Sequence, residues 1–556
     1  MNKLNIRLRS PAEVMKLSRL GSFHQSKLSF LRSFIREFKD WNYKRNIFDI
    51  DKNGYGIAVY SLEKNKKNYS LVCFANYLNP EERSDRVIAN KWDTTFVLHD
   101  GIPTLEDLER LKNNVPKQEA GRVTCKELSL ARANKSVRIF DHVVDSLSQG
   151  KQPDKQLLSK VGYLYRTTAV YGSGKCGLAD RFRIKDRKEI CGPFRLEMML
   201  VYLVRQFTFD QVNHIAKLKN PNKAMKLDND IARNLGIGNS TGLGLAPFIV
   251  NHPILLNNWI YCREKALKEI RSIEKIEVKD FNIFLDCLSR SKINIDSWLT
   301  ESDYQKNKIK SLKSDLKKFN QYLEKNCSVK TQYLWNEIYT WAESKLSNEG
   351  IEYIVSMIME PYNSIVDPLI NEMSAEEEKY FTIPAHRKLK EVKKIIENNY
   401  KFLIKIDYED KKNITNFWFI SKNKAEPRIA NRYQEYGSEL EQPLAIGRDV
   451  KQLYHRILKA NQNDTVAEFL LHNDDLRHVV RRVFIVEQFP YSEIQDNIIG
   501  ASLVPIDLLR LKLSFFGSNK FDPKSDKWLR INMYQGAPLP HELKFSNDTW
   551  VYNSLN

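Results

Sequence analysis

A glycine-rich stretch with cationic side chains, RTTAVYGSGKCGLADR at residues 166–181, is the segment best suited to chemistry in this sequence. Its glycines permit backbone angles that other residues avoid, so backbone N–H groups can surround an anion. Arg166, Lys175 and Arg181 would add positive charge around the same anion. The stretch therefore predicts an anion-binding loop, and a structural turn between helices is the alternative.

The same stretch approaches the outline of a nucleotide-binding P-loop but departs from it at one important position. Residues 169–176 supply the glycines and the lysine of that motif. Cys176 replaces the Ser or Thr that would bind magnesium, and a thiol is a poor magnesium ligand. We therefore do not expect nucleotide triphosphate chemistry. Tyr171 remains a candidate for proton transfer and Cys176 for a nucleophile, with a small buried thiol as the alternative for Cys176.

A second glycine-rich stretch, GIGNSTGLGLAPF, occupies residues 236–248. Asn239, Ser240 and Thr241 would orient a ligand by hydrogen bonds, and Arg233 just before them would add a cation. The pattern is not the GxGxxG that follows a strand in dinucleotide-binding proteins. A helix C-cap with a crossing loop is the alternative structure.

A third candidate set lies in LARANKSVRIFDHVV at residues 130–144. We predict a helix here, on which Asn134, Arg138 and His142 would share one face at a spacing of four. Arg138 suits carboxylate or phosphate, and His142 is a proton-transfer candidate. A solvated face or a capping network is the alternative. No two histidines have the spacing of metal ligands, so no metal site is predicted, and no motif identifies a cofactor.

Short internal similarities suggest that the chain contains two related halves. YGSGKCGLADRF at 171–182 resembles FGSNKFDPKSDKW at 516–528, which makes Lys520 the counterpart of Lys175. VRQFTFDQV at 204–212 is similar to VEQFPYSEI at 486–494. If these similarities reflect a duplication rather than chance, the glycine-rich loops of both halves would face a common cleft.

The hydrophobic patterning predicts an α+β fold that is predominantly α-helical. Each half would consist of a small antiparallel β-meander or hairpin followed by a helical bundle, with the first strands at 54–101 and the second at 400–422. The predicted domains are a basic N-terminal helix with the meander (1–103), a helical domain with the glycine-rich loops (104–275), a polar helical connector (276–399) and a C-terminal hairpin with helices (400–556).

The overall composition limits the classes of protein to consider. The chain of 556 residues has a formal net charge of +19, which attracts anionic partners, and no apolar run is long enough to span a membrane. The cysteines form no CxxC pair, which favours reduced thiols in the cytoplasm. The first 38 residues predict a basic amphipathic helix, and an organelle-targeting segment is the alternative.

Two functional hypotheses follow. The first is a soluble enzyme that binds a carboxylate- or phosphate-bearing substrate between the glycine-rich loops. The second is a DNA- or RNA-binding protein, because residues 481–513 resemble a helix-turn-helix of the sigma-factor or response-regulator kind. The third helix of that motif would read bases only through Arg510 and Lys512, and its other residues are largely apolar. The sequence leaves the substrate, the reaction and the oligomeric state open.

Overall fold

A computed structural model of the chain describes residues 5–79, 81, 91–115, 124–167, 187–190, 192–240, 252–298, 300, 303–374, 381–410, 416–421, 424–429, 446–495, 509–518, 521–525 and 528–552. Helices make up 53% of the structure and strands 14%, which confirms the prediction of a mixed but mainly helical chain. In the part of the chain described here, no helix is both long enough and apolar enough to cross a membrane.

The strands are numbered in chain order. They are β1 (Asn42–Ile50), β2 (Gly56–Lys64), β3 (Lys67–Ala75), β4 (Thr94–Asp100), β5 (Glu127–Lys135), β6 (Tyr163–Thr167), β7 (Gly236–Ser240), β8 (Asn416–Ser421), β9 (Lys424–Ile429), β10 (Phe521–Ser525) and β11 (Trp528–Met533).

The α-helices are numbered in the same way. They are α1 (Pro11–Val14), α2 (Phe30–Glu37), α3 (Leu105–Asn114), α4 (Phe140–Ser148), α5 (Lys155–Val161), α6 (Arg195–Lys219), α7 (Asn229–Arg233), α8 (Pro253–Arg271), α9 (Val278–Asp296), α10 (Asp303–Asn326), α11 (Leu334–Lys345), α12 (Asn348–Met357), α13 (Asn363–Val366), α14 (Leu369–Met373), α15 (Leu389–Asn399), α16 (Lys401–Ile404), α17 (Ile446–Lys459), α18 (Val466–His472), α19 (Arg477–Gln488) and α20 (Leu509–Leu511), which continues as a π-helix over Lys512–Phe516.

One mixed sheet organises the fold. Its strand order among the described residues is β1–β2–β3–β4–β5–β6–β7–β11–β10. Neighbouring strands are antiparallel except β6 and β7, which run parallel. A parallel pair needs a long crossover between its strands, and here the connection contains α6 and α7. This pairing brings together two segments that are far apart in sequence.

Helices cover the two faces of the sheet. Helix α6 packs on one face, where the hydroxyl of Tyr165 on β6 donates to Gln211 of α6 at 3.0 Å. Helix α3 packs on the opposite face, where Val97 of β4 joins a hydrophobic cluster with Leu108 and Leu111. Helix α3 begins at a capping box in which Thr104 and Asp107 satisfy each other's backbone N–H groups. Because both faces of β3 and β4 are buried, these strands read as continuous apolar runs.

Besides the small cluster under α3, the buried apolar side chains of the described residues form a main core and a separate helical core. The main core includes residues from Val14 to Tyr552, drawn from all four predicted domains. The second core lies within α15–α19 and extends from Leu389 to Val486. The predicted domain boundaries stay predictions. Hydrophobic packing in the main core joins the last forty described residues to the N-terminal part of the chain.

Several predicted elements need correction. The strands from 54 to 101 do form an antiparallel meander, but it belongs to the large sheet rather than to a small separate unit. Residues 401–404 are helical, and the second hairpin is formed by β8 and β9 instead. The internal duplication is not confirmed: β10 and β11 extend the same sheet as the first half, and residues 204–212 lie within α6 whereas only the first three of residues 486–494 are helical, at the end of α19.

Buried ion pairs hold the N-terminal segment against this body. The guanidinium of Arg9 donates to Glu264 of α8 at 2.7 Å and to Glu352 of α12 at 2.7 Å. Arg19 donates to the same Glu352 at 3.1 Å, and Arg263 lies 3.5 Å from it. Burial alone would raise the pKa of Glu352, but these guanidiniums outweigh it and lower the pKa to about 2.

The substitution Glu352→Gln should weaken the fold and change its response to acid. Removing the carboxylate takes away one buried counter-charge shared by Arg9, Arg19 and Arg263, and breaking a buried ion pair in this way costs about 3–5 kcal/mol. A carboxyl group with a depressed native pKa contributes stability above its unfolded pKa and loses that contribution as pH falls through the native value. Urea unfolding across pH should therefore show a smaller loss of stability between about pH 4.5 and 2 in the variant.

The exposed Glu269 of α8 provides the matched control. Glu269→Gln should change the free energy of unfolding by no more than ~0.5 kcal/mol. Unfolding curves for Glu352→Gln that match the wild type at neutral and at acid pH would contradict the role given to this cluster.

Candidate anion-binding site

The parallel pairing of β6 and β7 places the starts of two glycine-rich stretches side by side. Both strands end at the same edge of the sheet, with Thr167 as the last residue of β6 and Ser240 as the last residue of β7. Residues 168–186 follow the first strand and residues 241–250 follow the second. The carboxyl ends of adjacent parallel strands are a frequent location for ligand sites in open sheets.

Many of the predicted site residues lie outside the described residues. These are Tyr171, Lys175, Cys176, Arg181, Thr241 and Lys520, together with the side chain of Ser240. The structure does describe Arg138, His142, Arg166, Arg233 and Asn239.

Arg166 lies at the centre of the described part of the site. It is the fourth residue of β6, it pairs in register with Asn134 of β5 and Gly238 of β7, and it is only 4% exposed. Residues paired across adjacent strands project from the same face of the sheet. Arg166, the first residue of the first glycine-rich stretch, therefore shares a face with Asn134.

The register extends this shared face to neighbouring positions. Arg132 lies two residues before Asn134 on β5 and pairs with Thr95 of β4. Thr95 in turn lies two residues before Val97, which packs on α3. Since side chains alternate along a strand, Thr95, Arg132, Asn134 and Arg166 all lie on the α3 side of the sheet. We call Arg132, Asn134, Arg138, Tyr163 and Arg166 the arginine face.

Arg138 joins this face through Tyr163. Its Nη2 donates to the Tyr163 hydroxyl at 3.0 Å, and its guanidinium carbon lies 5.9 Å from the centre of the ring. The ring occupies the space into which a side chain at Gly238 would project, because a Cβ there would lie 2.9 Å from ring atoms. Glycine at this position therefore allows the tyrosine ring to pack directly against the backbone of β7.

The amide of Asn134 has a fixed orientation. Its Oδ1 accepts a hydrogen bond from the backbone N–H of Asp93 at 2.8 Å. The opposite end of the amide, Nδ2, is buried and has no hydrogen-bond partner among the described residues, and the same is true of the Thr95 hydroxyl. Burial also lowers the pKa of Arg132. These groups form a buried polar surface next to the start of residues 168–186.

Asn239 and Lys512 join the ends of the same two strands. Asn239 Nδ2 donates to the backbone carbonyl of Thr167 at 3.2 Å, and Lys512 Nζ donates to Asn239 Oδ1 at 3.0 Å. Asn239 is fully buried and Lys512 is 2% exposed. Asn239 shares its side of β7 with Ile237 of the main core, so this contact lies on the α6 side of the sheet. It fixes the carboxyl ends of β6 and β7 relative to each other.

Two predicted residues are located elsewhere. Arg233 ends α7, before β7 begins, and therefore lies toward the opposite edge of the sheet, where it forms an ion pair with Glu542 at 2.6 Å. His142 lies on α4, and its Nε2 accepts from the backbone N–H of Asp154 at 3.2 Å. No hydrogen bond described in the structure links either residue to Arg166.

The predicted helix over residues 130–144 is wrong in its first half. Asn134 lies on β5, Arg138 lies in the following turn, and only His142 is helical. The spacing of four residues therefore does not place Asn134, Arg138 and His142 on one helix face. Asn134 and Arg138 nevertheless both belong to the arginine face, Asn134 through its position on β5 and Arg138 through its hydrogen bond to Tyr163. The sequence does not identify Thr95 as a site residue. The alternation of polar and apolar residues in ELSLARANK is the signal that identifies strand β5.

A separate buried cluster contains three residues whose atoms are close enough to hold a metal. Ligand atoms of His24, Cys287 and Glu360 lie within 4.8 Å of one another. However, Glu360 already accepts two hydrogen bonds from Arg32, at 2.6 and 2.8 Å. The two ring nitrogens of His24 contact Glu360 and the Tyr552 hydroxyl, at 2.7 and 2.6 Å.

The charges around this cluster also oppose a cation. Arg32 and Arg36 contact Asp548 at 3.0 and 2.8 Å, and Lys27 lies 4.0 Å from it. A divalent ion would add positive charge to a group in which these cations already face the carboxylates of Glu360 and Asp548. Burial lowers the pKa of His24 and raises that of Cys287, which keeps both side chains neutral. We interpret the cluster as a structural network.

Searches against known protein families, curated protein sequences and solved structures find no match to this chain. The assignment of function therefore depends on the geometry of the arginine face and the adjoining strand ends.

Cysteine reactivity can test whether the His24 cluster is inaccessible to solvent. An alkylating reagent at neutral pH should modify the exposed Cys125 in the folded protein but should modify Cys73 and Cys287 only after unfolding. The reason is that the reactive species is the thiolate and that burial raises the pKa of both inner thiols. Mass spectrometry of peptides from native and urea-treated samples would give the modified fraction at each position.

The variant Cys125→Ser serves as the control and should remove only the modification assigned to that position. Rapid alkylation of Cys287 in the folded protein would contradict the structural interpretation, because it would require solvent access to the cluster.

Proposed function

We propose that this protein binds an anionic small molecule, with carboxylate or phosphate groups, on the arginine face at the carboxyl ends of β6 and β7. The observation that carries the proposal is the placement of Arg132, Asn134 and Arg166 on one face of two paired strands, where the first glycine-rich stretch begins. Guanidinium groups bind planar and tetrahedral oxyanions through paired hydrogen bonds. Their burial strengthens such bonds by lowering the local dielectric constant.

The residues have distinct proposed roles. Arg132 and Arg166 would contact the anion, and Arg138 would position Tyr163 beside them. Asn239 and Lys512 would hold the strand ends from which the two glycine-rich stretches depart.

The segments outside the described residues would complete the site. Lys175 and Arg181 would add cations, Ser240 and Thr241 would add hydrogen bonds, and Lys520 stays a candidate from the sequence alone. We further propose that the protein is an enzyme, with Tyr171 and Cys176 as its catalytic candidates because they belong to the stretch that follows Arg166. His142 is a weaker candidate, since it is engaged with the start of α5. The reaction is not assigned.

The nucleic-acid alternative receives less support from the described residues. The base-reading candidates Arg510 and Lys512 are 4% and 2% exposed, and Arg510 forms a buried ion pair with Glu349 at 2.7 Å. Side chains that read base edges must be exposed on the surface that enters the groove.

The variant Arg132→Gln tests the proposed function. Arg132 is only half-buried, so the substitution should leave the fold intact while removing charged donors from the arginine face. Calorimetric titration of the purified protein with phosphate, sulfate and citrate should reveal binding, and the variant should bind at least about tenfold more weakly because a charge-assisted hydrogen bond is lost. Native mass spectrometry should also detect an anion that co-purifies with the wild type and is depleted in the variant.

Arg233→Gln is the matched control, because Arg233 lies toward the opposite edge of the sheet. It should bind anions with wild-type affinity. Equal affinities for Arg132→Gln and the wild type, or the absence of any anion binding to the wild type, would overturn the proposal.

A further inference from the structure

We propose that helices α9 and α10 form a docking surface for an acidic amphipathic helix of a partner protein. The surface consists of an exposed apolar stripe on α9 and an exposed row of unpaired lysines on α10 beside it. It does not involve the arginine face, so the inference is independent of the proposed function.

Helix α9 is apolar on two sides. Its inner side contributes to the main core. Its outer side carries Val278, Leu285 and Ile293, whose exposed fractions are 62%, 37% and 62%. Spacings of seven and eight residues place these three side chains on one face of the helix. We call Val278, Leu285 and Ile293 the α9 stripe.

The α9 stripe belongs to a local concentration of exposed apolar side chains. Five large apolar residues between positions 278 and 304 are exposed, more than in any other described stretch of that length: Val278, Ile283, Leu285, Ile293 and Tyr304. Single exposed apolar side chains are normal on a protein surface, but a grouped set marks an interaction surface. A helix that faces only water carries polar residues on its outer side. The stripe therefore indicates a surface that packs against a partner.

The outer side of α10 carries lysines without ion pairs. Lys310, Lys317 and Lys325 are exposed, and in the described part of the chain none of them lies within ion-pair distance of a carboxylate. The other lysines of α10 do pair with carboxylates, at 2.6–3.7 Å: Lys306, Lys308, Lys313 and Lys318. The unpaired lysines are seven and eight residues apart, so they form a row with a spacing of about 10–12 Å along the helix. We call these three residues the lysine row.

One surface ion pair shows that the α9 stripe and the lysine row are neighbours. Asp296 of α9 contacts Lys313 of α10 at 3.1 Å. Leu285 precedes Asp296 by about three full turns, so it projects from the same side of α9. Lys310 and Lys317 lie about one turn before and one turn after Lys313 on α10. The stripe and the row therefore border each other where the two helices meet.

The occupant of this surface must be apolar opposite α9 and negatively charged opposite α10. The α9 stripe and the lysine row each extend over about 22 Å of helix. A helix of similar length can place apolar side chains against the stripe and carboxylates against the lysines at the same time, as amphipathic helices do when they bind a groove. Charge complementarity also discriminates against partners that carry basic residues at the same positions.

Other occupants match only part of the surface. An anionic membrane would meet the carboxylates of Asp286 and Asp296, which are 65% and 72% exposed on the helix that carries the stripe. DNA or RNA would match the lysine row but would leave the apolar stripe against water or phosphate. A second copy of this chain would bring its own lysine row rather than an excess of carboxylates. An acidic amphipathic helix satisfies both parts.

The experiment measures the binding of two designed peptides to the full-length protein by fluorescence anisotropy. Both peptides have ~18 residues, with leucines along one side of the helix. One peptide carries glutamates on the adjoining side, and the other carries lysines there. The glutamate peptide should bind at least about tenfold more tightly at low ionic strength. Added salt should reduce the difference, because exposed charges are screened.

Substitutions of exposed residues locate the binding site. Ile293→Gln removes apolar contact and Lys317→Glu reverses one charge of the lysine row, and each should weaken binding of the glutamate peptide by at least about fivefold. Lys317→Glu should also bind the lysine peptide more tightly than the wild type does. Leu471→Gln and Lys394→Glu are the matched controls, because both residues are exposed on helices of the second core, and both variants should keep wild-type affinity.

Equal affinities for the two peptides would overturn the inference, and so would unchanged affinity for the glutamate peptide in both Ile293→Gln and Lys317→Glu. Self-association of the wild type, but not of Ile293→Gln, in sedimentation would overturn it as well, because the occupant would then be a second copy. Binding to phosphatidylserine vesicles or to duplex DNA that is lost in Lys317→Glu, without binding of the glutamate peptide, would overturn it in favour of a membrane or a nucleic acid.

Discussion

Buried pairing of arginine with carboxylate is the interaction on which the rest of this structure depends. Arg9 binds Glu264 and Glu352, and Arg32 binds Glu360 and Asp548, all within the protein interior. Such pairs add little net stability compared with apolar packing, but removing one partner is costly because the other charge remains buried. They therefore specify which segments must meet: the N-terminal forty residues, helices α8 and α12, and the C-terminal segment that ends the described chain. The large mixed sheet packs against these segments.

Within the sheet, one topological feature creates the candidate site. Because β6 and β7 are parallel while their other neighbours are antiparallel, their carboxyl ends meet at one edge. The contact from Asn239 to the Thr167 carbonyl, with Lys512 behind it, fixes the relative position of those ends. On the other face of the sheet, the register of β5 and β6 places Asn134 beside Arg166. The polar groups thus lie on rigid strands, which position a ligand more accurately than loops do.

Local patterns predicted local structure well and long-range structure poorly. The meander of β2, β3 and β4 could be predicted because each strand is a short run of apolar and β-branched residues between turns. The proximity of Arg166 to residues 236–240 could not, because parallel pairing joins segments about seventy residues apart through a crossover. The spacing of Asn134, Arg138 and His142 fitted a helix by coincidence, and Tyr163 beside Gly238 has no signal in either segment alone. Arg138 and Arg166 could be predicted as anion-binding candidates, because the chemistry of a guanidinium does not depend on the secondary-structure element that carries it.

The location of the arginines also changes what the net charge of this chain means. A formal charge of +19 suggests a basic surface, but Arg9, Arg32, Arg205, Arg263 and Arg510 are all nearly inaccessible to solvent. Arg205 has no carboxylate in hydrogen-bond contact within the described part of the chain: its guanidinium donates to backbone carbonyls, including those of Leu235 and Ala537 at 2.8 and 2.9 Å. These side chains organise the interior and contribute little to the binding of an external polyanion. For this chain, the buried arginines are therefore evidence about how the fold is assembled, and only the arginines beside the strand ends belong to the candidate site.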